Sequence, residues 1–131
     1  MQTGSAKVAL GALAAVLLCI AAGAFWVSRK GPGECTNTVS AEHRSPGGQW
    51  MAAVFARRCG DGETTQVALR RAGSPFEPAN DDLVFIAAGH EALKLSWTPE
   101  PEGLVIETRA GTLLREEHHW RKLAVTVRRL R

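Results

Sequence analysis

The fold is decided by residues 35–59, CTNTVSAEHRSPGGQWMAAVFARRC, in which a turn signal stands midway between two cysteines. The motif SPGG at residues 45–48 is typical of a chain reversal, because proline presets φ and glycine accepts a positive φ. If a hairpin is centred on Gly47, Cys35 falls directly opposite Cys59. Paired positions in antiparallel strands bring two side chains within bonding distance. The segment therefore predicts a hairpin closed by a disulfide.

A disulfide between Cys35 and Cys59 would place this part of the chain in an oxidising compartment, outside the cytoplasm. Two free cysteines are the alternative. A metal site with two cysteine ligands is a weaker interpretation, because no CxxC or nearby histidine pattern completes it. The sequence thus predicts a structural bond at these residues.

Outward from the hairpin, the chain shows strand patterns separated by turns. Residues 71–82 hold two prolines and several acidic residues and predict a loop, and residues 98–103 predict a turn. Residues 113–121 fit a short helix or a strand, and we favour a strand. Together, the predicted strands and turns indicate a mainly β domain, a small antiparallel β-sandwich or open barrel of about seven or eight strands. Apolar or alternating segments predict strands at residues 50–56, 65–69, 83–88, 93–98, 104–109 and 123–128.

Ahead of the hairpin, residues 8–27, VALGALAAVLLCIAAGAFWV, form an apolar run without a charged side chain. A helix of this length spans about 30 Å, the thickness of the hydrocarbon core of a bilayer. We therefore predict a transmembrane signal-anchor segment at 1–30, a linker at 31–34 and an extracytoplasmic β domain at 35–131. The alternative is a signal peptide cleaved near Ala24, followed by secretion.

The orientation of the apolar run follows from the predicted disulfide. Basic residues flank both ends of the run, so the charge bias that orients membrane helices does not decide between the two directions. An oxidised domain lies in the periplasm. We therefore expect a single-pass protein of a bacterial inner membrane, with a cytoplasmic N-terminus and a bilayer contact through residues 8–27.

Small residues recur every four positions along one face of the predicted helix, at Gly11, Ala15, Cys19 and Gly23. Such a stripe lets two helices approach closely. An alanine-rich helix also produces stripes of this kind by chance. A homodimer is therefore one candidate assembly.

The distribution of charge argues against nucleic acid as a partner. The net charge of +3 belongs to Lys7, Arg29 and Lys30, which flank the apolar run, so the chain from residue 31 onward is formally neutral. A surface that reads phosphates needs a net basic field. We therefore predict no nucleic-acid binding.

Motifs for catalysis are absent from the sequence, which contains no GxSxG, no SxxK and no phosphate-binding glycine loop. His118 and His119 are adjacent, so on a strand they point to opposite faces and cannot hold one ion together. The sequence predicts a non-enzymatic protein without a metal site or cofactor. A general-base or metal role for a histidine is the lesser alternative.

The chain has four tryptophans and no tyrosine. The apolar alternation around Trp50 and Trp97 predicts core positions for both residues. Trp120 stands between His119 and Arg121, and this polar setting predicts an exposed aromatic anchor. Trp120, His119 and Arg121 are the predicted binding surface.

The first half of the domain contains Ser45-Pro46-Gly47-Gly48-Gln49-Trp50, Ala53-Val54-Phe55, Arg57, Cys59-Gly60 and Thr64-Thr65. These residues resemble the pattern of a family of uncharacterised small exported or membrane-anchored bacterial proteins. The family pattern is a cysteine, a Ser-Pro-Asp-Gly-Lys-like turn, an Ala-Val-x-Phe-x-Arg strand and a Cys-Gly segment followed by Thr-Thr. The resemblance covers residues 35–70, and residues 84–97 loosely, and it implies the hairpin and disulfide but no activity. The chain departs from the pattern at Gly47, where Asp is usual, and at residues 61–63, which lengthen the link to Thr-Thr.

These features predict a membrane-anchored domain that binds a protein of unknown identity through an exposed sheet face or edge, as an accessory subunit of an envelope complex. The alternative is a small inhibitor or immunity-type protein that acts against an envelope hydrolase. Disulfide-stapled β domains suit that second role, although no inhibitory loop is evident in the sequence.

Overall fold

The computed structural model describes residues 34–131, and this part of the chain contains nine β-strands and one short 3-10 turn at Asn80–Asp82. The prediction of a mainly β domain is confirmed, although the described residues form nine strands where the sequence predicts seven or eight, and Cys35–Arg131 forms one compact unit. The strands in chain order are β1 (Cys35–Arg44), β2 (Trp50–Cys59), β3 (Gly62–Arg71), β4 (Leu83–Ala88), β5 (Lys94–Pro99), β6 (Glu102–Thr108), β7 (Leu113–Glu116), β8 (His119–Trp120) and β9 (Leu123–Arg129).

Five strands form the first sheet, in the order β1-β2-β3-β4-β7, and all neighbouring pairs are antiparallel. Tight turns join β1 to β2 and β2 to β3. The second of these turns passes through Gly60, whose φ of 59° lies in the left-handed region that favours glycine. The predicted loop at residues 71–82 connects β3 to β4 and contains the 3-10 turn.

Four strands form the second sheet, in the order β5-β6-β9-β8. The prediction of a purely antiparallel arrangement is wrong here, because β6 and β9 run parallel, with Gly103 paired to Ala124 and Thr108 to Arg129. Parallel neighbours need a crossover connection. The crossover exists because the chain leaves β6 for the first sheet at β7 and returns through β8 before it enters β9.

Apolar side chains from both sheets form one buried cluster. Residues 50–56 are apolar on both faces, as predicted for a central strand, because alternate side chains of β2 enter different clusters. Val54 belongs to the cluster shared by the two sheets, and Phe55 packs with Ala68 and Leu83 in a second one. The shared cluster contains Ala52, Val54, Val67, Leu69, Val84, Phe85, Ala87, Leu95, Leu104, Ile106, Ala110, Trp120, Leu123 and Val125.

The loop between β3 and β4 covers the second cluster. Phe76 packs against Phe55 with its ring centroid 5.0 Å away, in an edge-on arrangement. Arg70 holds this loop, since its Nε donates to Ser74 O at 3.1 Å and its guanidinium lies 5.7 Å from the Phe76 ring. Its Nη2 also donates to Glu42 Oε1 at 3.1 Å. The loop is therefore tied down on the face of the first sheet that the second sheet does not cover.

Cys35 and Cys59 are disulfide-bonded and their Cα atoms lie 4.2 Å apart, which confirms the predicted pairing. The predicted pairing is correct because two offsets cancel. Near the turn, each residue pairs one position away from the partner that a hairpin centred on Gly47 would give it. A bulge at Ser40 then shifts the pairing back by one position. A bulge places two residues opposite one on the partner strand.

Residues 113–121 are strands rather than a helix, and they serve both sheets: β7 pairs with β4 and β8 pairs with β9. The predicted exposure of Trp120 is wrong. Only 6% of its surface is exposed, and its indole belongs to the cluster shared by the two sheets. The cause is strand alternation, because in β8 His119 lies on the exposed face while Trp120 turns inward. Trp50 and Trp97, for which the sequence predicts core positions, are only partly buried against the same cluster.

Gly103 in β6 lies where neighbouring strands crowd the backbone. A Cβ atom there would lie 3.0 Å from Thr98 Oγ1 and 3.1 Å from Ala124 O. We expect Gly103→Ala to lower the free energy of unfolding by about 1–2 kcal/mol, because the added methyl group overpacks the sheet. At Gly111 no described atom lies within 4 Å of such a Cβ, so Gly111→Ala is the matched control and should be neutral. Thermal denaturation measures both, and an unchanged Tm for Gly103→Ala would contradict the prediction.

The predicted membrane segment at residues 8–27 and the stripe of Gly11, Ala15, Cys19 and Gly23 lie outside the described residues. Within residues 34–131, no helix has the length and apolar character needed to cross a bilayer.

Candidate functional site

Three turns meet at one end of the domain: the β1–β2 turn at residues 45–49, the β5–β6 turn at 100–101 and the β8–β9 turn at 121–122. The backbone N–H of Gly47 donates to Glu102 Oε1 at 3.1 Å and so joins the first turn to the start of β6. The first turn belongs to the first sheet and the other two belong to the second. The candidate site is therefore built where the two sheets meet.

Ser45 shapes the first of these turns and is itself buried. Its N–H donates to Trp50 O at 2.9 Å, its Oγ accepts from Trp50 N at 3.1 Å, and its carbonyl accepts from Gly48 N at 2.9 Å. Each polar group of the buried Ser45 thus has a partner, as buried polar groups require. The hydrogen bonds hold Trp50 in place at the base of the turn.

A concave site of about 500 Å³, here called the Trp50 groove, lies between the three turns. This volume falls within the range of about 300–1,000 Å³ that is typical of ligand pockets. The floor is apolar and the rim carries charged and polar side chains. The groove is lined by Gln49, Trp50, Pro101, Glu102, Arg121, Lys122 and Leu123.

Two indoles form the aromatic part of this site. Trp50 and Trp120 meet edge to face, with their ring centroids 5.1 Å apart and their planes at 90°. An aromatic pair of this geometry contributes about 0.5–1.5 kcal/mol beyond the area it buries. Trp120 is buried, whereas Trp50 is only partly buried and lines the groove. Trp120 therefore acts as a fixed support for the ring that a ligand would touch.

The guanidinium of Arg121 lies over both indoles, 4.9 Å from the Trp120 ring centroid and 5.7 Å from that of Trp50. Stacking of a cation on aromatic faces is worth about 0.5–1 kcal/mol at an exposed site. No ion pair or hydrogen bond engages the Arg121 side chain within residues 34–131. The charge is held in position by the rings and is available to a ligand.

A smaller cavity of about 260 Å³, the His119 pocket, adjoins the groove at Arg121, which lines both. The predicted binding residues His119, Trp120 and Arg121 are brought together on its wall. Beside them, Arg115 donates from Nη1 to Asn80 O at 2.7 Å and to Asn80 Oδ1 at 3.0 Å. The other lining residues are Asp81, Leu83, Val84 and Glu117.

The sequence did not indicate the remaining residues of the groove. The apolar alternation predicts a core position for Trp50, and only its place directly after the SPGG turn indicates a surface. Pro101 and Glu102 gave no such signal. Both residues are far from the first turn in sequence. They reach the groove because the second sheet, which contains β5 and β6, meets the first turn at this end of the domain.

A second polar cluster lies toward the Cys35 end of the first sheet, in a cavity of about 270 Å³. Glu63 lies 3.5 Å from His90 Nδ1 and 3.6 Å from Arg58 Nη2. In the described part of the chain, no group of three or more metal-ligating side chains is found. Among residues 34–131, the His90 side chain makes no hydrogen bond to a hydroxyl or thiol.

Comparison of the chain with protein-family models, with curated proteins and with solved structures finds no match.

Proposed function

We propose that this protein is a membrane-anchored β-sandwich of the bacterial envelope that binds another protein, as a non-enzymatic accessory subunit of a membrane complex. The observation that carries the proposal is the Trp50 groove, with Arg121 held over two indoles and free of an internal partner in residues 34–131. Tryptophan and arginine are the residues most enriched at the energetic centres of protein interfaces.

The disulfide supports an extracytoplasmic location for the domain. Bonds of this kind form and persist in the periplasm, whereas the cytoplasm keeps thiols reduced. Together with the apolar run at residues 8–27, the Cys35–Cys59 bond favours an inner-membrane anchor with a cytoplasmic N-terminus.

The position of the groove suits a tethered binding domain. Strand β1 starts at Cys35, directly after the predicted linker, and ends at Arg44 beside the first turn of the groove. A strand of 10 residues extends about 33 Å. The groove therefore lies at the end of β1 that is opposite Cys35, the residue that follows the predicted linker in sequence.

The shape of the site favours this role over the inhibitor or immunity-type alternative. An inhibitor of a hydrolase commonly inserts a projecting segment into the enzyme. The candidate site here is concave and has an apolar floor, which suits a surface that receives a side chain or a short segment.

Photo-crosslinking from the groove tests the proposal. With p-benzoylphenylalanine in place of Lys122, at the rim of the groove, we expect one discrete adduct when intact cells that make the protein natively are irradiated. The adduct forms because a bound partner covers the rim, and it is detected by immunoblotting followed by mass spectrometry.

The matched control carries the same photo-reactive residue at Asp61, in the exposed turn between β2 and β3 at the other end of the first sheet. This position should give no discrete adduct. The proposal is wrong if Lys122 gives none, or if both positions give the same diffuse pattern.

A further inference from the structure

The Trp50 groove carries an excess of positive charge. Arg121 and Lys122 stand next to each other on its rim, and neither forms an ion pair within the described part of the chain. Glu102 is the acidic residue of the lining, and its Oε1 already accepts the Gly47 N–H. With two cations and one carboxylate, the groove lining carries a formal net charge of +1 and complements an anion.

The geometry of Arg121 points to a carboxylate rather than to a diffuse negative field. The guanidinium carbon lies 4.9 Å from the Trp120 ring centroid and 5.7 Å from that of Trp50, and its N–H donors have no acceptor among residues 34–131. A fixed guanidinium matches the two oxygens of a carboxylate and forms paired, charge-assisted hydrogen bonds. Less entropy is lost on binding because the rings already orient the donor.

The backbone at Arg121 is strained. Its φ is 55°, in the left-handed region where an L-residue costs about 1–2 kcal/mol relative to an ordinary conformation. Glycine would remove that cost in a tight turn between two strands. Strain of this kind is concentrated at ligand sites, where the geometry serves recognition. Arg121 thus places a cation at a turn position where conformational preference alone would favour glycine.

We infer that the Trp50 groove recognises an acidic segment of its protein partner, in which an Asp or Glu side chain bonds to the Arg121 guanidinium and an adjacent apolar side chain packs on Trp50 and Leu123. This inference rests on the proposed function and names the partner chemistry of the same site. A lipid surface fits less well, because recognition of anionic headgroups by surface cations uses clusters of about four to eight Lys or Arg residues. The groove lining has two, Arg121 and Lys122.

Peptide binding to the full-length protein in zwitterionic lipid nanodiscs tests the inference. The probes are two sets of fluorescein-labelled randomised hexapeptides that are identical except for one central position, which is Glu in one set and Gln in the other. We expect the Glu set to bind about tenfold more tightly by fluorescence polarisation, the size of effect that one hydrogen-bonded charge gives.

Variants assign this preference to one side chain. Arg121→Gln should abolish the difference between the two sets, and Arg121→Lys should retain only part of it, because the charge remains while the planar donor is lost. Arg109→Gln is the matched control, since Arg109 is also exposed and without an ion pair in residues 34–131 but lies beyond the other end of β6. It should leave the preference unchanged.

Three results would overturn the inference: equal binding of the two peptide sets, a preference that survives Arg121→Gln, or an equal loss in Arg109→Gln. Nanodiscs that contain phosphatidylglycerol provide a further arm. If that lipid displaces both peptide sets and Arg121→Gln prevents the displacement, the ligand is a lipid headgroup and the inference is wrong. If Lys122 gives the crosslink but the protein binds the two peptide sets equally, only the acidic nature of the partner is refuted. If Lys122 gives no crosslink, the proposed function itself is refuted.

Discussion

Trp120→Ala is expected to lower the free energy of unfolding by about 3–5 kcal/mol, the range found when a large buried aromatic side chain is truncated. The indole is 6% exposed and lies in the cluster shared by the two sheets. It packs edge to face with Trp50 at 5.1 Å and supports the guanidinium of Arg121 at 4.9 Å. Its removal leaves a cavity, breaks the aromatic pair and exposes the inner side of β9. Small domains are stable by only about 5–15 kcal/mol in total, so the loss is large.

Chemical denaturation of the full chain in detergent, followed by far-ultraviolet circular dichroism, measures this effect. Leu114→Ala is the control, because Leu114 lies on the nearby strand β7 with 60% of its surface exposed. Its truncation should cost less than about 0.5 kcal/mol. If Trp120→Ala cost no more than Leu114→Ala, the buried position of Trp120 would be refuted and the exposed anchor expected from the sequence would be restored.

Cys59→Ser is expected to lower the free energy of unfolding by about 3 kcal/mol, and Cys35→Ser by the same amount. The bond joins residues with a sequence separation of 24, and loop closure of this size restricts the unfolded chain by roughly that free energy. It also joins the start of β1 to the end of β2. Because β1 is an edge strand whose side chains are mostly exposed, little apolar packing holds its first residues in place without the bond.

The double variant Cys35→Ser/Cys59→Ser provides the decisive comparison. If the cysteines pair only with each other, the two single variants, the double variant and the reduced native protein all share one unfolding midpoint. Additive losses in the double variant would show that the two residues act independently. Labelling with maleimide-polyethylene glycol in denatured cell membranes checks the same bond in its compartment, since these thiols should react only after reduction.

Local sequence was sufficient to predict most strands. A short continuous apolar run predicts β2 and a short alternation of apolar and polar residues predicts β3, so each strand follows directly from its local sequence. The cysteine pairing could also be predicted from the sequence, because the SPGG turn and the equal lengths of the two arms imply which positions face each other. The bulge at Ser40 had no sequence signal, and the pairing survived only because the shift near the turn is equal and opposite.

The candidate site was much less predictable. Arg121 and His119 were identified from their neighbourhood in sequence, but Trp120 was assigned to the surface because its neighbours are polar. In a strand those neighbours lie on the other face, so polarity next to a residue says little about its own burial. Glu102 and Gly47 are 55 residues apart, and no local pattern predicts their hydrogen bond.

The sequence by itself determined the positions of most strands, the first hairpin and the cysteine pair, because these depend on turn chemistry and side-chain alternation over short stretches of chain. Only the tertiary structure decided the order of strands, the parallel pairing of β6 with β9, the burial of Trp120 and the Trp50 groove. Each of these depends on which distant segments pack together, and that choice is made by the burial of apolar surface over the whole domain.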